Sequence, residues 1–186
     1  MNIISGKYKN SPILSPNDIQ THPMGSREKL ALFNSLVSHL DSRSLEGLRA
    51  LDAFAGTGAL GLEALSRGAS SVVFVEKSPK IAKILEKNLE NVLLDHDLIK
   101  NQKIIKKDVK NLEKTDFDGN FDLIFADPPY NFYSEALISP LVAFLAPRAV
   151  LALSLPKSAP TPVFEGLTPV SEKTYANAKI ILFKKS

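Results

Sequence analysis

Apolar residues fall along this chain in short solid blocks, separated by longer stretches in which they recur every three or four positions. The blocks "RALDAFAG" (49–56), "SVVFVE" (71–76), "FDLIFAD" (121–127) and "AVLALSL" (149–155) are rich in β-branched or aromatic residues and read as buried strands. A shorter block, "KIIKKDV" (103–109), lies between the second and third. The periodic stretches read as helices. "SREKLALFNSLVSHL" (26–40) sets Leu30, Phe33, Val37 and Leu40 on one stripe. "SPKIAKILEKNLENVLL" (78–94) does the same with Ile81, Ile84, Leu85, Leu89 and Val92, and opens with Ser78 as N-cap and Pro79 at the first helical position. A further helix is expected over 134–146, ending before Pro147. At the tail, "LTPVSEKTY" (167–175) and "AKIILFKK" (178–185) are close enough to form a hairpin, and the proline-bearing stretch 156–169 reads as an exposed loop.

Strands that alternate with helices imply right-handed crossovers and a mostly parallel sheet covered on both faces. The terminal hairpin adds an antiparallel edge. The expected fold is therefore α/β, a doubly wound sheet of seven strands over residues 26–186, preceded by an irregular extension over 1–25. Such sheets bind ligands at the carboxyl ends of their strands, where the winding reverses. The residues to inspect are then Asp52 to Gly58, Glu76, Asp108 and Asp127 to Tyr130.

Length and composition narrow the classes. A chain of 186 residues fits one compact domain. With no cysteine, disulfides, zinc knuckles, iron–sulfur clusters and thiol nucleophiles are excluded. The first ten residues lack the apolar core of a secretory signal, and the apolar runs fall short of the roughly 20 residues that span a bilayer. A soluble cytoplasmic protein, with no membrane or metal partner, is expected. Lys and Arg exceed Asp and Glu by 23 to 20, and the pI is near 9.0. That margin fits a slightly basic surface as well as a nucleic-acid face. Local basic stretches at 103–110 and 5–10 lean towards the second.

The loop after the first strand, "DAFAGTGALG", carries Gly56, Gly58 and Gly61 in the spacing G-x-G-x-x-G, with Glu76 following Gly56 by 20 residues. This is the dinucleotide fingerprint, glycines for the tight turn and an acid for a ribose, so a NAD-type oxidoreductase is one reading. Asp52 favours another. A carboxylate at the strand end is unwelcome beside a pyrophosphate but suits the ammonium group of S-adenosylmethionine, which has no phosphate for the helix N-terminus to bind. Asp108 would then accept from the adenine amine, or serve simply as a helix N-cap.

"FADPPY" (125–130) supplies the complementary half. The exocyclic amine of guanine or adenine is a poor nucleophile because its lone pair is delocalised into the ring. Two acceptors that hold both amine hydrogens bend the nitrogen towards tetrahedral geometry and free that lone pair. The Asp127 carboxylate can be one and the Pro128 carbonyl the other, pre-aimed because Pro128 and Pro129 fix φ near −65°. Tyr130 offers a flat face to a flipped base. No strong base is needed, and no histidine lies among these strand ends. Lack of cysteine also excludes C5 methylation of pyrimidines. The plainer reading of D-P-P-Y is a turn; its company with the glycine loop argues for catalysis.

In this order and spacing, "LDAFAGTGALGLEALSRGAS", "VVFVEKS", "KNL" and "FADPPY" resemble the RsmD family, guanine-N2 methyltransferases of small-subunit (16S) ribosomal RNA. "IISGKYKN" is similar to the family's N-terminal hairpin, "REKLALFN" to its first helix and "KTYANAKIILFKK" to its closing strand. The resemblance implies a class I methyltransferase (Rossmann-like) fold, S-adenosylmethionine as donor and a guanine in assembling small subunits as target. It places Asp52, Phe54, Ala55, Gly56 and Gly58 along the methionine side of the cofactor, Glu76 at the ribose, and Asp108 and Val109 at the adenine. Asp127, Pro128, Pro129 and Tyr130 fall at the target amine. Lys7, Lys9, His22 and Arg27 are its candidates for RNA contact, although "HPM" (22–24) stands where the family reads arginine-proline-threonine. An N6-adenine methyltransferase, a dinucleotide oxidoreductase and a non-catalytic RNA-binding relic are the alternatives.

Overall fold

The computed structural model describes residues 1–16, 24–94 and 96–186. Its centre is one sheet of seven strands, β1 (Arg49–Asp52), β2 (Ser71–Val75), β3 (Lys103–Ile105), β4 (Phe121–Ala126), β5 (Leu145–Pro156), β6 (Leu167–Thr174) and β7 (Ala178–Lys185). The spatial order is β3-β2-β1-β4-β5-β7-β6. The first five strands pair in parallel and β7 runs antiparallel to both β5 and β6. Doubly wound topology with an antiparallel edge is thus the observed architecture.

The sheet buries both faces, which explains why its central strands are largely apolar on both faces rather than at alternate positions. Ala50, Phe74, Leu123, Phe125, Val150 and Leu182 face a core shared with α1 (Ser26–His39), α2 (Ala59–Ser66) and α3 (Pro79–Leu93). Leu51, Val73, Ile124, Leu151 and Phe183 face a second core, closed by Phe117, Phe144 and Phe164. In α3 the expected start is seen: Ser78 Oγ accepts from Ile81 N at 3.4 Å, ahead of Pro79.

Three expectations of detail give way. The helix expected over 134–146 is only one α-turn, α5 (Glu135–Ile138), followed by a 3₁₀ stretch over Ser139–Phe144. Pro140 lacks an N–H and crowds the preceding turn, so α-geometry cannot run through it. β5 consequently begins at Leu145, before Pro147, and its pairing with β4 slips between Phe121 and Leu123 while Arg148 takes φ 64°. The strands drawn over 49–56 and 103–109 end at Asp52 and Ile105, since the residues beyond leave the ladder to form the site loops. A short helix, α4 (His96–Lys100), is additional.

The N-terminal stretch folds back on itself, with a bridge between Asn2 and Pro12, and packs on α2. Ile3 and Ile13 enter the first core. Glu63 of α2 accepts from Ile4 N at 2.8 Å and Ser5 N at 3.0 Å. Gly6 passes so close that a Cβ there would lie 1.8 Å from the Ser66 carbonyl oxygen. Among the described residues no helix is long and apolar enough to cross a membrane.

Candidate active site

From β1 the chain winds outward through β2 to β3, then returns to β4 on the other side of β1. The winding therefore reverses between β1 and β4, and a crevice opens at their carboxyl ends. Asp52 pairs in register with Phe125, and Ala53 N donates to Phe125 O at 2.9 Å. Asp127 follows two residues later, just past the end of β4. The glycine loop and D-P-P-Y are adjacent, as both motifs require.

The glycine loop is built by its neighbours. Gly58 N donates to Ala55 O at 2.7 Å, closing a tight turn in which Gly58 takes φ 86°, a left-handed conformation that suits glycine. Gly61 lets α2 sit hard on β2: a Cβ there would lie 2.2 Å from the Phe74 ring. Asp52 Oδ2 accepts from Gly61 N at 3.0 Å and so ties the strand end to the first turn of α2. Glu76 accepts from Gly56 N at 3.0 Å through Oε2 and from Ser78 N at 2.7 Å through Oε1. Each of its oxygens keeps a second lone pair for a ligand hydroxyl. Phe54 and Ala55 complete this wall, Phe54 resting on the second core and Ala55 buried in the first.

At the end of β3, Asp108 caps the 3₁₀ turn Val109–Asn111, Oδ1 accepting from Lys110 N at 3.1 Å. The N-cap part of the expectation is thus observed. Lys77 Nζ is 3.8 Å from Asp108 Oδ2. The Val109 side chain belongs to the second core, which leaves its backbone N–H, at the start of a turn, as the group able to meet a ligand.

D-P-P-Y leads from β4 into the 3₁₀ turn Tyr130–Phe132. The Pro129 carbonyl accepts from Phe132 N at 2.8 Å, whereas among the described residues the Pro128 carbonyl accepts no hydrogen bond. A rigid carbonyl with no partner, beside Asp127, is the feature the amine-holding chemistry needs. Tyr130 is about a third exposed, and its hydroxyl meets Ser154 Oγ of β5 at 3.1 Å.

The electrostatics of this edge are one-sided. Burial pushes Asp52 up to about 7; the Gly61 N–H opposes this, and the charges of Asp127 and Glu76 add to it. Burial likewise raises Asp127 to about 6; the Ser154 hydroxyl opposes this, and the charge of Glu28 adds to it. Among the described residues neither carboxylate forms an ion pair with a Lys, Arg or His. Around Asp52 and Asp127 the crevice is therefore acidic, and Lys77, a cation at its rim, pairs with Asp108 instead.

Several participants were not marked in the sequence. Burial raises the pKa values of Tyr130 and Tyr175, and the charge of Glu28 on α1 adds to both, as it does at Asp127. Ser154 arrives from β5, and exposed Phe132 carries Lys77 Nζ 5.3 Å from its ring centroid. Glu28 and Lys77 lie inside the stretches "REKLALFN" and "VVFVEKS", but nothing in those stretches marks them as facing the site; Ser154 comes from a strand remote in sequence and Phe132 from the far side of a turn. The proposed RNA contacts scatter. Arg27 is exposed on the first turn of α1, near the crevice, whereas the Lys7 N–H binds Ser66 O at the last turn of α2, about 12 Å along that helix from the glycine loop. Lys9 shares that distant loop, and His22 lies outside the described residues.

Comparison with known proteins identifies the family. A family model described as conserved hypothetical protein 95, the RsmD family, matches residues 1–184. Ribosomal RNA small subunit methyltransferase D of Haemophilus influenzae is 33% identical over 175 residues, covering 92% of this chain and 87% of that protein. The uncharacterized methylase RP545 of Rickettsia prowazekii is 25% identical over 231 residues, covering 100% of this chain and 98% of that protein. Among solved structures, a hypothetical protein of Thermus thermophilus, TTHA0928, superposes with a TM-score of 0.78 at 26% identity, covering 98% of each chain. TrmN of the same species shares the fold alone, with a TM-score of 0.64 at 21% identity over 85% of this chain and 48% of that one. Matched along nearly its whole length, and a third identical to a family member across nine-tenths of it, the chain belongs to the RsmD family.

Proposed function

We propose that the protein transfers a methyl group from S-adenosylmethionine to the exocyclic N2 amine of a guanine in small-subunit ribosomal RNA. The carrying observation is the pair of carboxylates at the β1–β4 switch point, Asp52 buried and Asp127 half-buried, neither of which forms an ion pair among the described residues. A dinucleotide would bring two more negative charges to Asp52, Asp127 and Glu76, at a dielectric where like charges repel strongly. The methionine ammonium and the sulfonium bring positive charge instead. The acidic edge therefore favours a cationic adenosyl ligand over a pyrophosphate, although the glycine spacing alone admits both.

S-adenosylmethionine supplies an electrophilic methyl carbon, whose bond to sulfur breaks as the bond to the amine nitrogen forms. The protein's own groups do the rest. Asp52 meets the ammonium, Glu76 the ribose hydroxyls, and the Asp108–Val109 turn the adenine. Asp127 and the Pro128 carbonyl each hold one amine hydrogen, which localises the lone pair and stabilises the positive charge that develops on nitrogen. Pro129 keeps that carbonyl aimed, and Tyr130 stacks on the base. The proton leaves to solvent after transfer, so no buried general base is called for. Ribosomal RNA as the substrate rests on kinship with the Haemophilus protein and on the exposed Arg27, Lys7 and Lys9.

The test is to incubate the protein with under-methylated small subunits and labelled donor, then digest the RNA and identify the nucleoside by mass spectrometry. N2-methylguanosine at one position is expected. N6-methyladenosine would replace the proposal with the adenine alternative. Absence of label, with donor binding measured separately, would rule out methyl transfer to this RNA, and preferential binding of NAD in that titration would favour the oxidoreductase.

A further inference from the structure

We propose that Glu28 reads the identity of the target base, one of its carboxylate oxygens accepting the N1–H of guanine beside the amine held by Asp127 and Pro128. This rests on the methyltransferase reading above and extends it to how guanine is told from adenine.

The placement follows from the packing of α1. Phe33 of this helix meets Phe125 of β4 with ring centroids 5.5 Å apart. The His39 carbonyl at the end of α1 accepts from Lys184 Nζ at 3.2 Å, and Lys184 is paired with Val150, itself level with Leu123 in the first half of β4. α1 therefore runs opposite to β4, and its first turn rises at the carboxyl edge of the sheet. Glu28 lies five residues before Phe33, about 7.5 Å along the helix. Asp127 lies two residues after Phe125, about 6.6 Å along the strand. The two carboxylates emerge at the same height on facing elements. The field of Glu28 at Asp127, Tyr130 and Tyr175 is what this placement requires.

The side chain is also half free. Oε2 accepts from Gly25 N at 2.9 Å, across the start of the helix, while among the described residues Oε1 accepts no hydrogen bond. Helix capping accounts for one oxygen and leaves the other without a partner at the mouth of the site.

The chemistry of the two bases then decides between them. Guanine presents two neighbouring donors, the N2 amine and N1–H. Adenine presents its amine next to N1 with a bare lone pair. Acceptors at Asp127 and Pro128 handle either amine, which is why D-P-P-Y does not distinguish them. A third acceptor next to that pair does, because a carboxylate attracts N1–H and repels the adenine N1. Sites built to bond a substrate N–H reject analogues without it by large factors.

The test uses 2-aminopurine, which keeps the 2-amine and lacks the N1–H. Small-subunit RNA carrying guanine or 2-aminopurine at the mapped position is methylated by the full chain and by Glu28→Gln. The amide keeps an oxygen for the Gly25 N–H and offers its NH2 to an unprotonated N1. The wild-type protein should prefer guanine by roughly 100-fold or more in kcat/KM. Glu28→Gln should bring that ratio below about tenfold, through slower guanine and faster 2-aminopurine, with donor affinity unchanged. If both substrates slow by the same factor, Glu28 is only a helix cap and the inference fails while the methyltransferase reading stands. If the wild-type protein makes no N2-methylguanosine at all, both fall together.

Discussion

Two carboxylates beside α2 are equally removed from water and live in opposite surroundings. Glu63 is 0% exposed and Asp52 is 1% exposed. Glu63 collects Ile4 N, Ser5 N, the Arg67 guanidinium at 2.8 Å and the Lys29 ammonium at 3.4 Å, so both of its oxygens are satisfied and its charge is more than balanced. Asp52 has the Gly61 N–H on one oxygen, the charges of Asp127 and Glu76 nearby, and no cation among the described residues. Burying a charge is tolerable when partners replace the lost water. The first carboxylate meets that condition inside the chain, knotting α1, α2 and the N-terminal stretch together. The second meets it only when something positive arrives. On the proposed reading, the contrast separates a charge kept for architecture from one kept for a ligand.

The largest effect is expected where the uncompensated charge meets the chemistry. Asp127→Ala removes one of the two acceptors proposed for the amine hydrogens, and turnover should fall by about 10²–10³-fold or more. Donor affinity should stay within a few fold, since on the proposed reading Asp127 faces the amine and not the cofactor. Single-turnover kinetics with a parallel donor titration would check this. A large loss of donor affinity would mean that Asp127 belongs with Asp52 rather than with the target.

Next come the two carboxylates themselves, whose neutralisation should move stability in opposite directions. Glu63→Gln leaves the Lys29 ammonium, 1% exposed, beside a neutral amide, and should destabilise the fold by about 3–5 kcal/mol. Asp52→Asn removes a charge that has backbone N–H donors but no cation beside it among the described residues. The Asp52 carboxyl titrates near 7 in the fold against 3.8 ordinarily, so the native state binds more protons between those values. Its contribution to stability is fully present below pH 4 and is lost as pH rises through about 7. At pH 8 the ligand-free Asp52→Asn protein should therefore be more stable than wild type by about 1–4 kcal/mol, with the gain vanishing near pH 4. Donor affinity in that variant should drop, and should lose the increase with pH through about 7 that wild type shows as the carboxylate ionises. Denaturant melts at the two pH values, with and without donor, measure all of this. A destabilised Asp52→Asn protein at pH 8 would make the residue another Glu63.

What the sequence disclosed and what it hid follow the same division. The strands, α3 with its Ser78 cap, and the two site motifs are local in sequence, so periodicity and spacing reveal them. Asp52, Gly56 and Gly58 share one loop, and D-P-P-Y carries both proposed acceptors within two residues. Pro140 is local in sequence, yet its effect on the helix expected over 134–146 shows only in the 3₁₀ stretch that holds it. Other features are set by tertiary placement. Lys29 looks like a surface lysine on a helical pattern until α2 covers it. Glu28 looks like a first-turn helix acid until α1 is seen to run against β4. Lys7 and Lys9 suggest a basic contact to the target, yet the docking of the N-terminal stretch carries them to the other end of α2. Which charges share a space is decided by packing across the sheet, and periodicity along the chain does not report it.

The smallest effect tests whether the acidity of the crevice is set by its neighbours. Asp127 must be ionised to accept an amine hydrogen, and burial places its titration near 6, so kcat/KM should fall as pH drops through about 6. The Ser154 hydroxyl lowers that value, whereas the Glu28 charge raises it. Ser154→Ala should therefore shift the acidic limb to higher pH, and Glu28→Gln should shift it lower, each by less than about one unit, because a single polar neighbour at this distance is worth on the order of 1 kcal/mol. Ser154→Ala also frees the Tyr130 hydroxyl from its 3.1 Å contact, so a change in KM for RNA with an unmoved limb would assign the serine to holding the tyrosine. Opposed shifts in the two variants are expected if Asp127 is tuned by its neighbours across the crevice. The same limb in both would mean that Asp127 titrates without regard to the residues facing it, and the one-sided electrostatics of this edge would then have no part in catalysis.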